Sequence, residues 1–319
     1  MAEALLELRV HAIKFEADGI FSFDLRAPDG HVLPPFTAGA HIEVRIDPEM
    51  ERSYSLTNLQ GERHHYVIAV SRDVASRGGS KFMCESVRAG DMLTIRAPRN
   101  TFPLIESAAE SIFIGGGIGI TPLLGMIRRL ESLGASWSLY YAARTRQTAA
   151  FQNEFAALEC RRSGRVHITF DHEPGHAMLD LVAIVAAAPV GAHLYCCGPT
   201  GMLQAYEAAA ASRPPETVHT EYFSPTQEAA SGGFTVVLAR SNQTLFIPPD
   251  KSILKTLISN GYKVAHSCTE GVCGTCETRV LEGIPDHRDN VLSAREKAAN
   301  KSMMICCSGA KTEKLVLDL

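Results

Sequence analysis

Tryptophan is nearly missing from this chain of 319 residues, which holds one, and aromatic residues together make up only 7%. Cores here must therefore be built mostly from aliphatic side chains, and a hydrophobic content of 45% supplies enough of them. An excess of charge of either sign is also lacking: 31 Lys and Arg stand against 35 Asp and Glu, for a net charge of −4. That balance, with no block of like charge, gives no footprint for nucleic acid and no charged tail. No uninterrupted apolar run reaches the length of a membrane span. The low-charge stretch from Leu181 to Tyr206 is broken by Pro189, Gly191, Gly198 and Pro199. The opening Met1-Ala-Glu-Ala-Leu-Leu-Glu7 has no basic start and carries acids inside its apolar run, so it does not read as a signal peptide. The nine cysteines do not suggest the framework of a secreted disulfide scaffold. The expectation is a cytoplasmic protein that touches neither membrane nor nucleic acid, long enough for two or three domains.

What is present is concentrated chemistry. Cys268-Thr-Glu-Gly-Val-Cys273-Gly-Thr-Cys276 spaces three thiols as C-x4-C-x2-C, and Cys306 follows thirty residues on. This is the plant-type spacing for a 2Fe–2S cluster. The competing reading is structural zinc, but zinc loops mostly pair cysteines as C-x2–4-C twice over, each pair on its own turn. Cys306 is followed by Cys307, so spacing alone leaves the fourth ligand open between them; Cys306 is taken as the ligand and Cys307 as a small buried neighbour.

Three patterns succeed one another along the chain. Residues 1–105 alternate with period two at 6–13, 21–26, 41–46, 52–56, 66–70 and 92–96, between Pro-Asp-Gly, Asp-Pro and Ala-Gly-Asp turns. Six short strands of this kind predict an antiparallel β-barrel. Residues 106–223 alternate strand and helix, with strands expected at 112–114, 137–142, 166–170, 193–197 and 218–223. A helix is expected from Thr121 to Leu133, with Thr121 as its N-cap and Pro122 at its first helical position. That alternation predicts an α/β domain with a parallel sheet. Residues 224–233, Ser-Pro-Thr-Gln-Glu-Ala-Ala-Ser-Gly-Gly, read as a linker. Residues 234–319 predict a small mixed sheet, with strands at 234–239, 244–247, 277–281 and 314–319 and a helix at 252–260.

Other motifs sit at the expected strand ends. Gly115-Gly-Gly-Ile-Gly-Ile-Thr121-Pro122 joins a buried strand to a helix, where glycines let a pyrophosphate approach and free helix amides can bind it. Taken alone, the same turn could be a tight connection with no ligand. Arg52-Ser53-Tyr54-Ser55 lies on a barrel strand, with Arg52 and Tyr54 on one face and Ser53 and Ser55 on the other. Ser76-Arg-Gly78-Gly79-Ser80 offers hydroxyl, amide and guanidinium donors to an anion. Cys197-Gly198-Pro199 ends the fourth parallel strand, and Glu221-Tyr-Phe223 ends the fifth.

In this order the motifs resemble those of the ferredoxin–NADP reductase superfamily. With the cysteine loop at the C-terminal end, the whole chain is similar to the phthalate dioxygenase reductase family, which includes vanillate O-demethylase and carnitine monooxygenase reductases. The runs Gly271-Val-Cys-Gly-Thr-Cys-Glu277 and Pro285-Asp-His-Arg-Asp289 and the ending Lys314-Leu-Val-Leu-Asp-Leu319 share in the resemblance. It departs at Cys306-Cys-Ser-Gly309, where relatives often carry a basic residue.

The resemblance implies an NADH-dependent oxidoreductase built from a flavin barrel, an NAD domain and a β-grasp ferredoxin. It implies FMN held by Arg52, Ser53, Tyr54 and Ser55, with Gly78, Gly79 and Ser80 at its phosphate. NADH would meet Gly116, Gly117, Gly119, Thr121 and the Cys197-Gly198-Pro199 turn. Asp171, just past the third parallel strand, is suited to a ribose 2′-hydroxyl, while Arg144 and Arg146 would favour a 2′-phosphate. Ser55, Cys197 and Glu221 would surround the point of hydride transfer, and Phe223 would shield the flavin. Electrons would pass from NADH through FMN and the cluster at Cys268, Cys273, Cys276 and Cys306 to a Rieske-type oxygenase. The alternative is an electron-transfer subunit of a larger dehydrogenase that does not itself oxidise NADH.

Overall fold

The computed structural model describes residues 5–48, 50–73, 78–161, 165–175 and 177–319. The chain divides into two compact units between Tyr222 and Phe223. Ser76 and Arg77 of the expected anion loop lie outside the described residues.

The first unit opens with six strands: β1 (Leu5–Ala17), β2 (Ile20–Arg26), β3 (His41–Asp47), β4 (Met50–Ser55), β5 (Tyr66–Ser71) and β6 (Met92–Arg96). They form one sheet in the order β4-β3-β6-β1-β2-β5, with every pairing antiparallel. The two outer strands meet through a bridge between Leu56 and Ile68 and a bond from Thr57 N to Val67 O of 2.8 Å, which closes the sheet into a barrel. Leu8, Val10, Phe23, Leu25, Ile42 and Ile68 fill it. A short helix α1 (Gly79–Lys81) runs into a π-helical turn over Phe82–Ser86.

The chain then builds β7 (Ser111–Gly116), α2 (Ile120–Leu133), β8 (Trp137–Ala143), α3 (Gln152–Arg161), β9 (Val166–Phe170), α4 (Leu181–Ala187), β10 (His193–Cys197), α5 (Thr200–Ala210) and β11 (Val218–Glu221). The five strands are parallel in the order β11-β10-β7-β8-β9. The first strand in sequence is thus the central one. All six residues of β7 are buried, as expected of a strand covered on both faces. Leu123, Leu124, Ile127 and Leu130 of α2 are buried with Phe113, Leu139 and Tyr195 of the sheet and Ala17, Ile20 and Phe102 from the barrel region. Each such aliphatic side chain contributes roughly 1.5–3 kcal/mol by leaving water, so this shared core binds barrel to sheet.

Two expectations are corrected here. The cap of α2 is Gly119, not Thr121; Thr121 is the second helical residue and its hydroxyl donates to Ile118 O at 2.9 Å. The last parallel strand stops at Glu221, so Phe223 lies beyond it.

The second unit holds β12 (Phe234–Leu238), β13 (Gln243–Ile247), α6 (Ile253–Ser259), β14 (Glu277–Glu282), β15 (Pro285–Asp286), α7 (Ala294–Ala299), β16 (Ser302–Met304), β17 (Gly309–Ala310) and β18 (Lys314–Leu317). Its main sheet runs β13-β12-β18-β14-β16, and β15 pairs with β17. β12 and β18 are parallel while their neighbours are antiparallel, and α6 buries Ile253, Leu254 and Leu257 in the same core as Val236 and Leu315. Among the described residues no helix is long and apolar enough to cross a membrane.

Candidate functional site

The reversal of strand order falls between β7 and β10, and both end there in glycine turns. In open parallel sheets such a switch point is where the strand ends leave a crevice for a ligand. The two turns interlock. A Cβ on Gly116 would stand 2.6 Å from Pro199 Cδ and 2.8 Å from Met202 Sδ, and one on Gly119 would stand 2.2 Å from Cys197 O. Only backbones without side chains can approach this closely. Gly117 serves another purpose. Its φ is 54°, and nothing lies within 4 Å of where its Cβ would be, so this stretch of backbone faces open space. α2 follows directly on a 3-10 turn over Gly117–Gly119 and has no side-chain cap; the amide of its first residue, Ile120, bonds back to Gly117 O, and the positive end of the helix faces the turn, as suits a phosphate.

Cys197 and Glu221 are direct neighbours in the β10–β11 register. Cys197 is fully buried, and burial, then the nearby Glu221, pushes its thiol well above the ordinary range. Glu221 is half-buried as a residue, but its Oε2 is out of reach of solvent and has no hydrogen-bond partner. Burial raises its carboxyl to about 8, so it keeps its proton near neutrality. An unpartnered buried carboxyl at a crevice is a group awaiting a ligand.

Ser55 is buried at the end of β4, opposite His41. The next carbonyl, Leu56 O, lies 2.7 Å from where a Cβ on Gly125 would stand, so the end of this barrel strand touches α2 near its N-terminal half. His41, opposite Ser55, is a further polar group at this strand end. Its Nε2 is buried without a partner, and burial, with Arg99 nearby, lowers its pKa to about 4. A lone histidine on an alternating strand carries no signal that would have marked it.

Tyr54 is half-buried, and burial, with Cys84 beside it, raises its phenol. Ser53 Oγ is buried and unpartnered. Arg52 lies over the backbone of Gly79, its Cγ 2.7 Å from where a Cβ there would stand. Ser80 Oγ accepts from Asp73 N at 3.1 Å. Arg52, Gly78 and Gly79 are thus brought together, a basic and glycine-lined cradle that fits a phosphate, while the unsatisfied Ser53 hydroxyl lies on the other face of the same strand. At the far edge of the parallel sheet, Asp171 follows β9, with its amide bound to Ala143 O at 2.9 Å and its Oδ1 buried without a partner. Arg146 lies 4.5 Å over the Phe170 ring, and its amide donates to Glu173 at 2.6 Å. Phe223 begins the second unit and is 40% exposed.

In the second unit Cys268, Cys273, Cys276 and Cys306 are all buried. Their side chains are close neighbours, Cys268 beside Cys273 and Cys306 beside both Cys276 and Cys307. Four buried thiols are the number that a four-cysteine 2Fe–2S cluster requires. Among the described residues no three Cys, His, Asp or Glu side chains are grouped as around a single metal ion. Glu270 N donates to Cys268 Sγ at 3.3 Å and Thr275 Oγ1 is 3.2 Å from Cys273 Sγ. Gly271 has φ 74°, and its missing Cβ would stand 2.4 Å from Cys307 Sγ. Cys307 therefore packs under the ligand loop. Thr269 also adopts a positive φ of 59°, a strained state for a β-branched residue.

Two family models match this chain: an oxidoreductase NAD-binding domain over residues 113–208 and a 2Fe-2S iron-sulfur cluster binding domain over residues 236–311. The phenoxybenzoate dioxygenase subunit beta of Ectopseudomonas oleovorans is 52% identical over 99% of this chain and 98% of its own length. Tetrachlorobenzoquinone reductase of Sphingobium chlorophenolicum is 48% identical over 98% of both. The solved structure of phthalate dioxygenase reductase, described as modular for electron transfer from pyridine nucleotides to [2Fe-2S], superposes with a TM-score of 0.74. It is 39% identical and covers 99% of this chain and 98% of that one.

Proposed function

The chain belongs to the phthalate dioxygenase reductase-like family of Rieske oxygenase reductases, which move electrons from NAD(P)H to a 2Fe–2S cluster, and on that premise we propose that it takes them from NADH through FMN and hands them to a Rieske-type oxygenase. The observation that carries the reading is the meeting of the Gly116–Gly119 and Cys197–Pro199 turns at the switch point, with the unpartnered Glu221 carboxyl beside them. A flavin, when bound, accepts a hydride as an electron pair and releases electrons singly, which is what joins a nicotinamide to a one-electron cluster.

The chain's own residues supply position and charge. Arg52, Ser53, Tyr54 and Ser55, with Gly78, Gly79 and Ser80, would hold the FMN. Gly116, Gly117, Gly119, Thr121, Gly198 and Pro199 would hold the dinucleotide. Ser55, Cys197 and Glu221 would border the transfer point, with Phe223 as the shield. Neutral Cys197 and Glu221 place no negative charge where a hydride arrives, and a protonated carboxyl can donate to a carboxamide. Asp171, with a buried and unsatisfied oxygen, would accept a ribose 2′-hydroxyl and repel a 2′-phosphate. Arg146, which would favour that phosphate, is stacked on Phe170. Cys268 and Cys273 would bind one iron, Cys276 and Cys306 the other.

The rival dehydrogenase subunit has no NADH chemistry of its own, which leaves the NAD-binding segment unexplained. A second acceptor does have support: the relative at 48% identity is named for a benzoquinone. Anaerobic mixing of the purified protein with NADH and cytochrome c tests the central reading. Brisk reduction, with FMN as the mass of the released flavin, is expected. Failure to reduce cytochrome c, or an adenine-bearing flavin, would reject the corresponding step. Turnover with a quinone but with no Rieske oxygenase would move the acceptor to the second reading.

A further inference from the structure

The segment that reads as a linker is bonded to the ferredoxin unit beside the cluster loop. Thr226 Oγ1 donates to Asn290 Oδ1 at 2.9 Å, and Thr226 N approaches the same oxygen at 3.4 Å. The backbone amide of Asn290 in turn donates to Gly271 O at 2.9 Å, and Gly271 lies between Cys268 and Cys273. Four residues after Thr226, Ala230 N donates to Cys307 O at 2.8 Å, next to Cys306. Between them Gln227 Oε1 accepts from Arg288 at 3.4 Å. Thr226 and Ala230 are half-buried while the residues between them are exposed. This is the pattern of a strand of chain laid down at two points.

Asn290 is itself anchored. The neighbouring Asp289 is buried, with its Oδ2 accepting from Val291 N at 3.2 Å and Leu292 N at 2.8 Å, and Lys297 donates to its carbonyl. The backbone on either side of Asn290 is thus held, with Asp289 packed against Gly271 of the cluster loop, and the Asn290 side chain is the member that reaches the linker.

We propose that residues 226–230 form a strap on the ferredoxin, and that Asn290 is a positioning residue through which the strap steadies the loop carrying Cys268 and Cys273. This rests on the 2Fe–2S assignment of that loop. Its physical basis is two hydrogen bonds that meet at Asn290, one from Thr226 to its side chain and one from its backbone amide to Gly271 O, between two ligands. Loosening the outer one lets the loop open more often, and an opened loop exposes iron to chelators.

The test uses the full-length holoprotein and the rate at which a chelator bleaches the visible absorbance of the cluster. Thr226→Val loses one neutral hydrogen bond and should quicken bleaching roughly threefold to tenfold, and Asn290→Ala, which also releases the Thr226 backbone amide, by at least as much. The double variant should be no faster than Asn290→Ala alone, because both changes break the same link. Asn290→Asp keeps the acceptor and should stay within about twofold of wild type. Both single variants should shift the electron paramagnetic resonance of the reduced cluster and hasten proteolytic cleavage in 224–231, with flavin content and ferricyanide reduction unchanged. Bleaching at the wild-type rate in Thr226→Val would overturn the proposal, and so would multiplied effects in the double variant. If Asn290→Ala fails to load a cluster, Thr226→Val alone decides. A wild-type protein that binds no 2Fe–2S cluster would overturn the assignment beneath the strap.

Discussion

Glu221 couples one side chain to the pH dependence of the whole unit. Its native carboxyl titrates at about 8, against an ordinary 4.5. Below the lower value native and unfolded forms both hold the proton, and the buried neutral acid costs nothing extra. Between the two values the unfolded chain has released a proton that the native chain retains, so stability should fall as pH rises through this window. Glu221→Gln has no proton to lose and should flatten the slope, seen as urea midpoints that change less between about pH 5 and about pH 8. A slope equal to that of wild type would locate the effect elsewhere. Residues whose chemistry is fixed by spacing, such as the cysteines and the glycine turn, are readable from sequence. Asn290 and His41 are not, because each owes its role to a partner far away in the chain or to burial alone.

At the scale of elements, period-two alternation was enough to locate the barrel strands, and β6, β9 and β10 occupy the expected residues. Their ends are less legible. β11 stops at Glu221, its pairing with Cys197 being the last in the register, and the apolar Tyr222 and Phe223 extend the sequence pattern past the ladder. α7 is hard to read from the sequence although Ser293 and Glu296 form a capping box; with no buried residue it lacks the apolar stripe that signals a helix. The cap of α2 falls on Gly119 because β10 runs directly against it, a tertiary constraint that outweighs the capping preference of Thr121. Gly119→Ala should therefore be severe. A methyl 2.2 Å from Cys197 O must part β7 from β10, costing roughly 1–3 kcal/mol or more. The Michaelis constant for NADH should rise as well. An unaltered melting temperature would show that the two turns can separate freely.

Over the whole molecule, the flavin motifs precede Tyr222 and the cluster ligands follow Phe223. Cys273→Ser should remove the cluster signal and cytochrome c reduction while leaving bound flavin and NADH-to-ferricyanide activity. Loss of flavin from that variant would show that the two units depend on each other. The ferredoxin part, with 11 Lys and Arg against 9 Asp and Glu from residue 234 onward, has little net charge with which to steer a partner. Electron delivery to an oxygenase should therefore fall only weakly with added salt. A steep decline would point to a local charged patch.

The two anchor points at Thr226 and Ala230 also bear on how such a protein can be recombined in evolution or in the laboratory. A composition-based cut at residue 234 would leave behind the residues that bond to Asn290 and Cys307. The natural unit of exchange begins near Phe223 instead, and a ferredoxin transplanted with those extra residues carries its own buttress into any new host.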